Sequence, residues 1–326
     1  MNKIIKNTAL YFLGNDLYLK FRFEKIKRDM PLTILNLHRV MDGDTSSYQP
    51  LKIKLFEELL NYVKKHYLLI SFDDLNNLNQ NDLRKPPLIL SFDDGYKDFF
   101  EYAMPILDKH KIRVNQNIIP YCVESGLPPL NVLIQDFIGN APMSLLQNFS
   151  IPGFVYDGDK SNRILFGLSA SKFIKNKSFS EQAVLQGDIT SQIFNFIEFK
   201  PTKMMNLNDI KETTSYHEIG AHSFSHSSMF YESDEYVQND AINCKIWFSS
   251  FLNIDASIYT FPNGSYKPHQ LNIVKNNGYK YLLLVSDKFS YPTNTIHDRF
   301  GFHADSYAEL KFRTLGGLNK TNRTTA

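Results

Sequence analysis

The chain has 326 residues with 36 Lys+Arg against 34 Asp+Glu, a net charge of +2 with histidine neutral. That balance argues against a nucleic-acid binder, whose footprint would be a strongly basic surface, while 43% hydrophobic and 14% aromatic residues exclude disorder and collagen-like repeats. Two cysteines, Cys122 and Cys244, are too few for a disulfide framework or a Cys-based zinc site. Residues 1–31 carry Lys3, Lys6, Lys20, Arg22, Lys25, Lys27 and Arg28 against three acids, and Gly14, Asn15 and Asp16 break the apolar groups around Leu10, Phe12 and Leu17. This is neither the apolar run of a secretory signal nor, anywhere in the chain, a membrane span. The expectation is a helical extension over residues 1–30 packed on one large domain, in a cytoplasmic protein. The alternative is peripheral contact of this basic segment with an anionic membrane.

From residue 31 short apolar runs alternate with amphipathic stretches. Leu32–Leu37 reads as a buried strand that delivers His38 and Arg39, residues 51–66 as a helix with lysines on its outer face, and Leu68–Phe72 as a second strand. Residues 87–92 form a third strand ending in Asp93, Asp94 and Gly95; a helix over 97–110 and an apolar piece at Ile118–Ile119 follow. Strand and helix at this cadence predict a parallel α/β sheet or barrel, with its chemistry at the carboxyl ends of the strands. Between about 125 and 205 the rhythm is lost: residues 131–149 and 181–198 read as helical, around a Gly- and Lys-rich middle. We expect a helical insertion packed over the domain, beside its cleft. The cadence resumes with Glu218–Ala221, a helix over 233–252, and strands at Ser257–Phe261 and Tyr279–Val285.

Ser-Phe-Asp-Asp occurs at 71–74 and again at 91–94. The first copy runs on into leucines at helical spacing, where Asp73 and Asp74 suit a helix amino terminus. The second ends an apolar strand and is followed by a glycine that permits close backbone approach to a ligand. His222-Ser223-Phe224-Ser225-His226 places two histidines at i and i+4, on one face of a helical turn, so that both imidazoles can reach one ion. Two imidazoles and one carboxylate make a catalytic type of metal site, with positions left for water and substrate.

These motifs resemble the polysaccharide deacetylase family, the NodB-homology group of carbohydrate esterases. The first family motif is matched by Ser91-Phe92-Asp93-Asp94-Gly95 and the second by His222 to His226. Leu35-Asn36-Leu37-His38-Arg39-Val40 resembles the opening strand of one branch, and Phe261-Pro262-Asn263-Gly264-Ser265-Tyr266 the third motif. The resemblance covers most of residues 31–124 and 206–300. It implies a distorted (β/α) barrel and the metal-dependent removal of an N-acetyl group from an amino sugar of a polysaccharide or glycan precursor. It further implies one divalent ion, zinc or else cobalt or nickel, on Asp94, His222 and His226. Asp93 would be the general base toward a metal-bound water, and the loop near Asn263 would supply a backbone N–H to the oxyanion.

The sequence departs from the family in two places. Tyr259 and Thr260 stand where an arginine often holds the catalytic aspartate; Arg299 is a candidate contact for Asp93 or for the substrate. The usual Leu-x-His general acid is missing; resemblance to the branch that opens with a strand ending in histidine implies His38 as the acid, with His297 and His303 as alternatives. Rival functions are an amidase or imidase acting on a non-sugar C–N bond, a catalytically silent carbohydrate binder, and a non-haem iron oxygenase, against which the α/β cadence counts.

Overall fold

The computed structural model describes residues 14–43, 46–79 and 83–317. Its centre is a parallel barrel. Strands β1 (Thr33–Leu37), β3 (Pro87–Phe92), β4 (Asn115–Ile118), β5 (Glu218–Ala221), β6 (Ile258–Thr260), β7 (Tyr281–Val285) and β8 (Ile296–Gly301) pair in ring order. The pairing of β1 with β3, from Thr33 opposite Leu88 to Leu37 opposite Phe92, joins the two ends of the sheet. Only two residues of the expected second strand pair as β2 (Leu68–Leu69), beside the amino-terminal half of β3. The rest of that run turns into a short 3-10 helix over Asp73–Asn76, because the Asp74 carboxylate accepts from the backbone N–H and hydroxyl of Ser71.

Helices pack outside the ring. In α2 (Ile53–His66), Leu55, Phe56, Leu59, Leu60 and Val63 share the buried face, and the lysines lie outward as the periodicity predicts. The expected helix over 97–110 is a π-turn at Phe99–Ala103 followed by α3 (Met104–His110); Pro105 has no N–H to donate, so the regular ladder is broken there. Before the barrel, α1 (Asp16–Asp29) is capped by Asn15 and tied to the last helix, α12 (Tyr307–Thr314), by Lys311–Asp16 at 2.6 Å. Residues 1–13 of the expected extension lie outside the described residues.

The stretch after β4 is more helical than its sequence suggested. It holds α4 (Pro120–Ser125), α5 (Leu130–Asn140), α6 (Met143–Asn148), α7 (Arg163–Lys175) and α8 (Phe179–Phe194), and α9 (Leu207–Thr213) leads back into β5. Helix α7 lies inside the Gly- and Lys-rich middle, where no helix was expected. Leu133, Phe137, Phe166, Ala170, Ile174 and Ile189 give these helices a core distinct from that of the barrel. No described helix is long and apolar enough to cross a membrane.

The barrel interior is layered. Its amino-terminal end is closed by Ile34, Ile89, Ile258 and Leu283. A polar layer of Asn36, Ser91, Asn115, Asn117 and Arg299 stands above them, all buried. Gly220 is required at this level: a Cβ there would lie 2.2 Å from the Asn117 side-chain oxygen.

Candidate metal centre and active site

Each site residue sits where a strand ends. Asp93 and Asp94 follow β3, and the Asp93 N–H still donates to Leu37 O of β1. Asp94 has a left-handed backbone, φ 77°, which turns its carboxylate into the barrel mouth. Next to it, a Cβ on Gly95 would press on the Ile118 side chain at 3.2 Å, so glycine suits this close approach. His222 follows β5, its N–H donating to Ile118 O.

The histidine pair does not lie on a helical turn. Ser223 and His226 both have left-handed backbones, φ 59° and 63°, and the segment is a loop. What shapes it is Asp240 on α10 (Asp234–Leu252), which accepts from Ser223 Oγ and Phe224 N; the Ser223 hydroxyl oxygen in turn accepts from His226 N. Tyr259, standing where an arginine was looked for, donates to Asp240 at 2.7 Å. Burial raises the Asp240 carboxyl to about 6, and its hydrogen bonds from Tyr259 and Ser223 oppose the rise.

The loop brings His222 Nε2 to 3.2 Å and His226 Nε2 to 3.3 Å from Asp94 Oδ1. His222 Nδ1 lies 3.1 Å from the Thr260 carbonyl, to which it donates, so its Nε2 carries a lone pair. Asp94 Oδ1 is buried and has no hydrogen-bond partner among the described residues. The His222 lone pair therefore faces the carboxylate oxygen at short range, an arrangement that a cation relieves. The three donor atoms lie within 4.8 Å of one another, and two imidazoles with one carboxylate suit a divalent ion of the zinc type.

Asp93 stands beside this cluster, its Oδ2 3.9 Å from His222 Nε2. Arg299 on β8 reaches across the barrel and donates to both Asp93 oxygens at 2.8 Å, while Asn117 donates to Oδ1 at 2.9 Å. The guanidinium also donates to Asn36, Ser91 and the Leu284 carbonyl, which fixes its plane. Burial works against the Asp93 charge, but Arg299 and then His222 outweigh it and hold the carboxyl far below the ordinary range. The arginine missing from the third motif is thus supplied by another strand.

The other expected residues divide. His38 and Asn263 line the same cavity of about 250 Å³ as Asp93, Asp94, His222 and His226. Burial lowers the His38 imidazole below its usual value, against the pull of Asp94 and Asp93. Asn263 takes a left-handed backbone, φ 58°, and donates from its amide to Ser228 Oγ. His297 is at the closed end of the barrel between Phe72 and Tyr281, with Nδ1 2.9 Å from Ser290 Oγ, and so is removed from the acid candidates. His303 is outside the cavity, half exposed beside Asp305, in an adjoining pocket of about 430 Å³ that also reaches His38. Sequence reasoning missed Asn117, Asp240, and the insertion residues Gln135 and Lys175 that wall the cavity.

Fold and site together define a closed parallel (β/α) barrel with two imidazoles and a carboxylate at its mouth, grouped so that they could hold a metal ion. Residues 198–282, which contain the histidine motif and the Phe261–Tyr266 loop, match the family model described as polysaccharide deacetylase, in agreement with the resemblance of the motifs. The fold is similar to that of a Streptococcus pyogenes deacetylase, PplD, in complex with acetate. That likeness has a TM-score of 0.58 and 16% identity over 87% of this chain and 98% of the other. It is also similar to IcaB from Ammonifex degensii (TM-score 0.56, 13% identity, 87% and 97% covered). A de-N-acetylase from Aggregatibacter actinomycetemcomitans gives a TM-score of 0.53 at 12% identity, with 84% and 96% covered. No curated protein matches the chain.

Proposed function

We propose that this protein hydrolyses the N-acetyl group of an amino sugar in a glycan or glycan precursor, using one divalent ion, zinc or else cobalt or nickel, held by Asp94, His222 and His226. The observation that carries this reading is the convergence of Asp94 Oδ1 with two imidazole Nε2 atoms beside an aspartate clamped by arginine. The matched family and the similar folds support the same chemistry. When bound, the ion would supply Lewis acidity toward water and the acyl oxygen.

The protein's own groups divide the proton work. Asp93 Oδ1 is occupied by Arg299 and Asn117, whereas Oδ2 holds one arginine bond and faces the histidines; Oδ2 is therefore the atom that takes the proton from the attacking water. His38, across the same cavity, donates a proton to the departing sugar nitrogen, so that amide and water become acetate and amine. The Asn263 loop lines the cavity where an N–H could meet the developing oxyanion. The adjoining pocket, which shares His38 and Tyr48, gives room for a glycan that extends beyond one sugar.

Elemental analysis paired with release of acetate from N-acetylglucosamine oligomers tests the reading. Wild type should hold about one equivalent of metal, and His222→Ala should lose it. Asp93→Asn should keep the metal and turn over roughly 10²- to 10⁴-fold more slowly. Wild type that takes up no zinc, cobalt or nickel would sink the proposal.

A further inference from the structure

The insertion forms one wall of the catalytic cavity, and that wall carries a positive charge with no counter-ion among the described residues. Lys175, at the end of α7, lines the cavity and is half-buried; its ammonium makes no hydrogen bond or ion pair with any described residue. Beside it stand Gln135 and Asn131 of α5 and Ser171 of α7, all buried and all lining the same space. The Gln135 side chain, 3% exposed, makes no hydrogen bond with a described residue, so its amide is left for whatever enters. Asn131 and Ser171 hold each other at 3.4 Å.

The charges around the cavity decide what that is. Among the described residues its lining carboxylates are Asp93 and Asp94. Asp93 is committed to Arg299 by two bonds, and Asp94 is the carboxylate of the metal-ligand cluster. With an ion in place, neither has a charge to spare for Lys175. A partly buried ammonium without a counter-charge is costly, and an incoming anionic oxygen removes that cost while the neighbouring amides and hydroxyl fix its orientation. Burial lowers the Lys175 amine while the Asp94 charge opposes the loss of its proton, and a docked anion would act in the same sense as Asp94.

We propose that Lys175, with Gln135, forms a specificity subsite for an anionic substituent, a carboxylate or a phosphoryl group, carried by the amino sugar whose acetamide is cleaved. The inference rests on the deacetylase reading and names its substrate class: an acidic amino sugar rather than a neutral one. The wall belongs to the insertion, so the preference is a property of these helices and not of the barrel.

The test uses N-acetylglucosamine, its 1-phosphate and the corresponding N-acetylglucosaminuronic acid, with zinc-loaded wild type and Lys175→Gln. Calorimetry reads binding and amine formation reads turnover. Wild type should bind at least one of the acidic compounds about tenfold or more tightly than the neutral sugar, the favoured one identifying phosphoryl or carboxylate as the natural group. In Lys175→Gln that advantage should shrink to within about threefold, with zinc content and the affinity for the neutral sugar unchanged. Equal wild-type affinity for all three compounds overturns the subsite, as does an acidic preference that survives the substitution, since the metal alone would then select the anion. Loss of neutral-sugar binding or of zinc in Lys175→Gln also overturns it, by making the lysine structural. The expected binding pattern with no amine formed from any compound would instead reject the deacetylase reading and leave the anion subsite standing.

Discussion

At the scale of single residues, the Arg299–Asp93 pair sets the charge state of the proposed base. Both side chains are fully buried, and two parallel N–H···O bonds at 2.8 Å fix the carboxylate plane and its charge. Removing the guanidinium would strand an uncompensated buried carboxylate, at a cost of about 3–5 kcal/mol in stability. It would also take away the main opposing charge to burial, so the Asp93 pKa must rise. A carboxyl held low stays ionised down to low pH; without Arg299 it takes up its proton at a higher pH, and the acid limb of kcat/KM should move upward by roughly 1–3 units. Arg299→Gln should show that shift with metal content unchanged, and Arg299→Lys, which keeps charge but not the fork, should recover part of it. An acid limb that does not move in Arg299→Gln would remove Arg299 from the positioning of the base. The carboxylates and histidines of this site were legible in the sequence because each motif is contiguous. Arg299 was only a candidate, because its approach to Asp93 depends on closing the barrel between distant strands. The i, i+4 spacing predicts that the two histidine rings meet on a helical turn; they meet instead on a loop held by Asp240.

At the scale of elements, the insertion shows what periodicity cannot reach. The sequence marked the lost rhythm between 125 and 205 and the helices around it, but α7 went unseen because Gly167 and its lysines dilute the apolar pattern. The structure explains the glycine. A Cβ on Gly167 would lie 2.0 Å from Ser47 Oγ and 2.8 Å from Ser47 Cβ, where the loop after β1 meets the insertion; there Ser47 also bonds to the Gln135 carbonyl. Gly187 on α8 has nothing within 4 Å of the same built atom. Alanine favours a helix over glycine by about 1 kcal/mol, and overpacking costs about 1–3 kcal/mol, so the two sites should respond with opposite sign. Gly187→Ala should raise the thermal midpoint by a few degrees and Gly167→Ala should lower it, both read by calorimetry. A stabilised Gly167→Ala would mean that α7 is not held against the Ser47 loop.

At the scale of the whole molecule, β8 links the mouth of the barrel to its closed end. Arg299 serves the mouth; two residues earlier on the same strand, His297 is fully buried at the closed end, and burial lowers its imidazole to about 4. Unfolded, that histidine takes up a proton near 6.5. Between about pH 6.5 and 4 the unfolded chain therefore binds more protons, so the stability that neutral His297 contributes is complete above 6.5 and lost as the pH falls, by roughly 3 kcal/mol across the window. Two buried carboxyls work the other way: Asp240 is raised to about 6 and Glu218 to about 7, in both cases by burial first, so each favours the folded state more as acid protonates it. Wild type shows only the sum, and one substitution isolates the histidine. Urea unfolding of His297→Gln and wild type in the presence of a chelator, which keeps metal loss out of the comparison, should show the variant weaker at pH 7.5 because packing and the Ser290 contact are lost. The gap should narrow by roughly 2–3 kcal/mol by pH 4.5, because only wild type must still charge a buried imidazole on unfolding. Parallel pH curves would mean that His297 is already protonated in the folded barrel, and that the closed end is wetter than its ring of Phe72, Tyr281 and Leu283 implies.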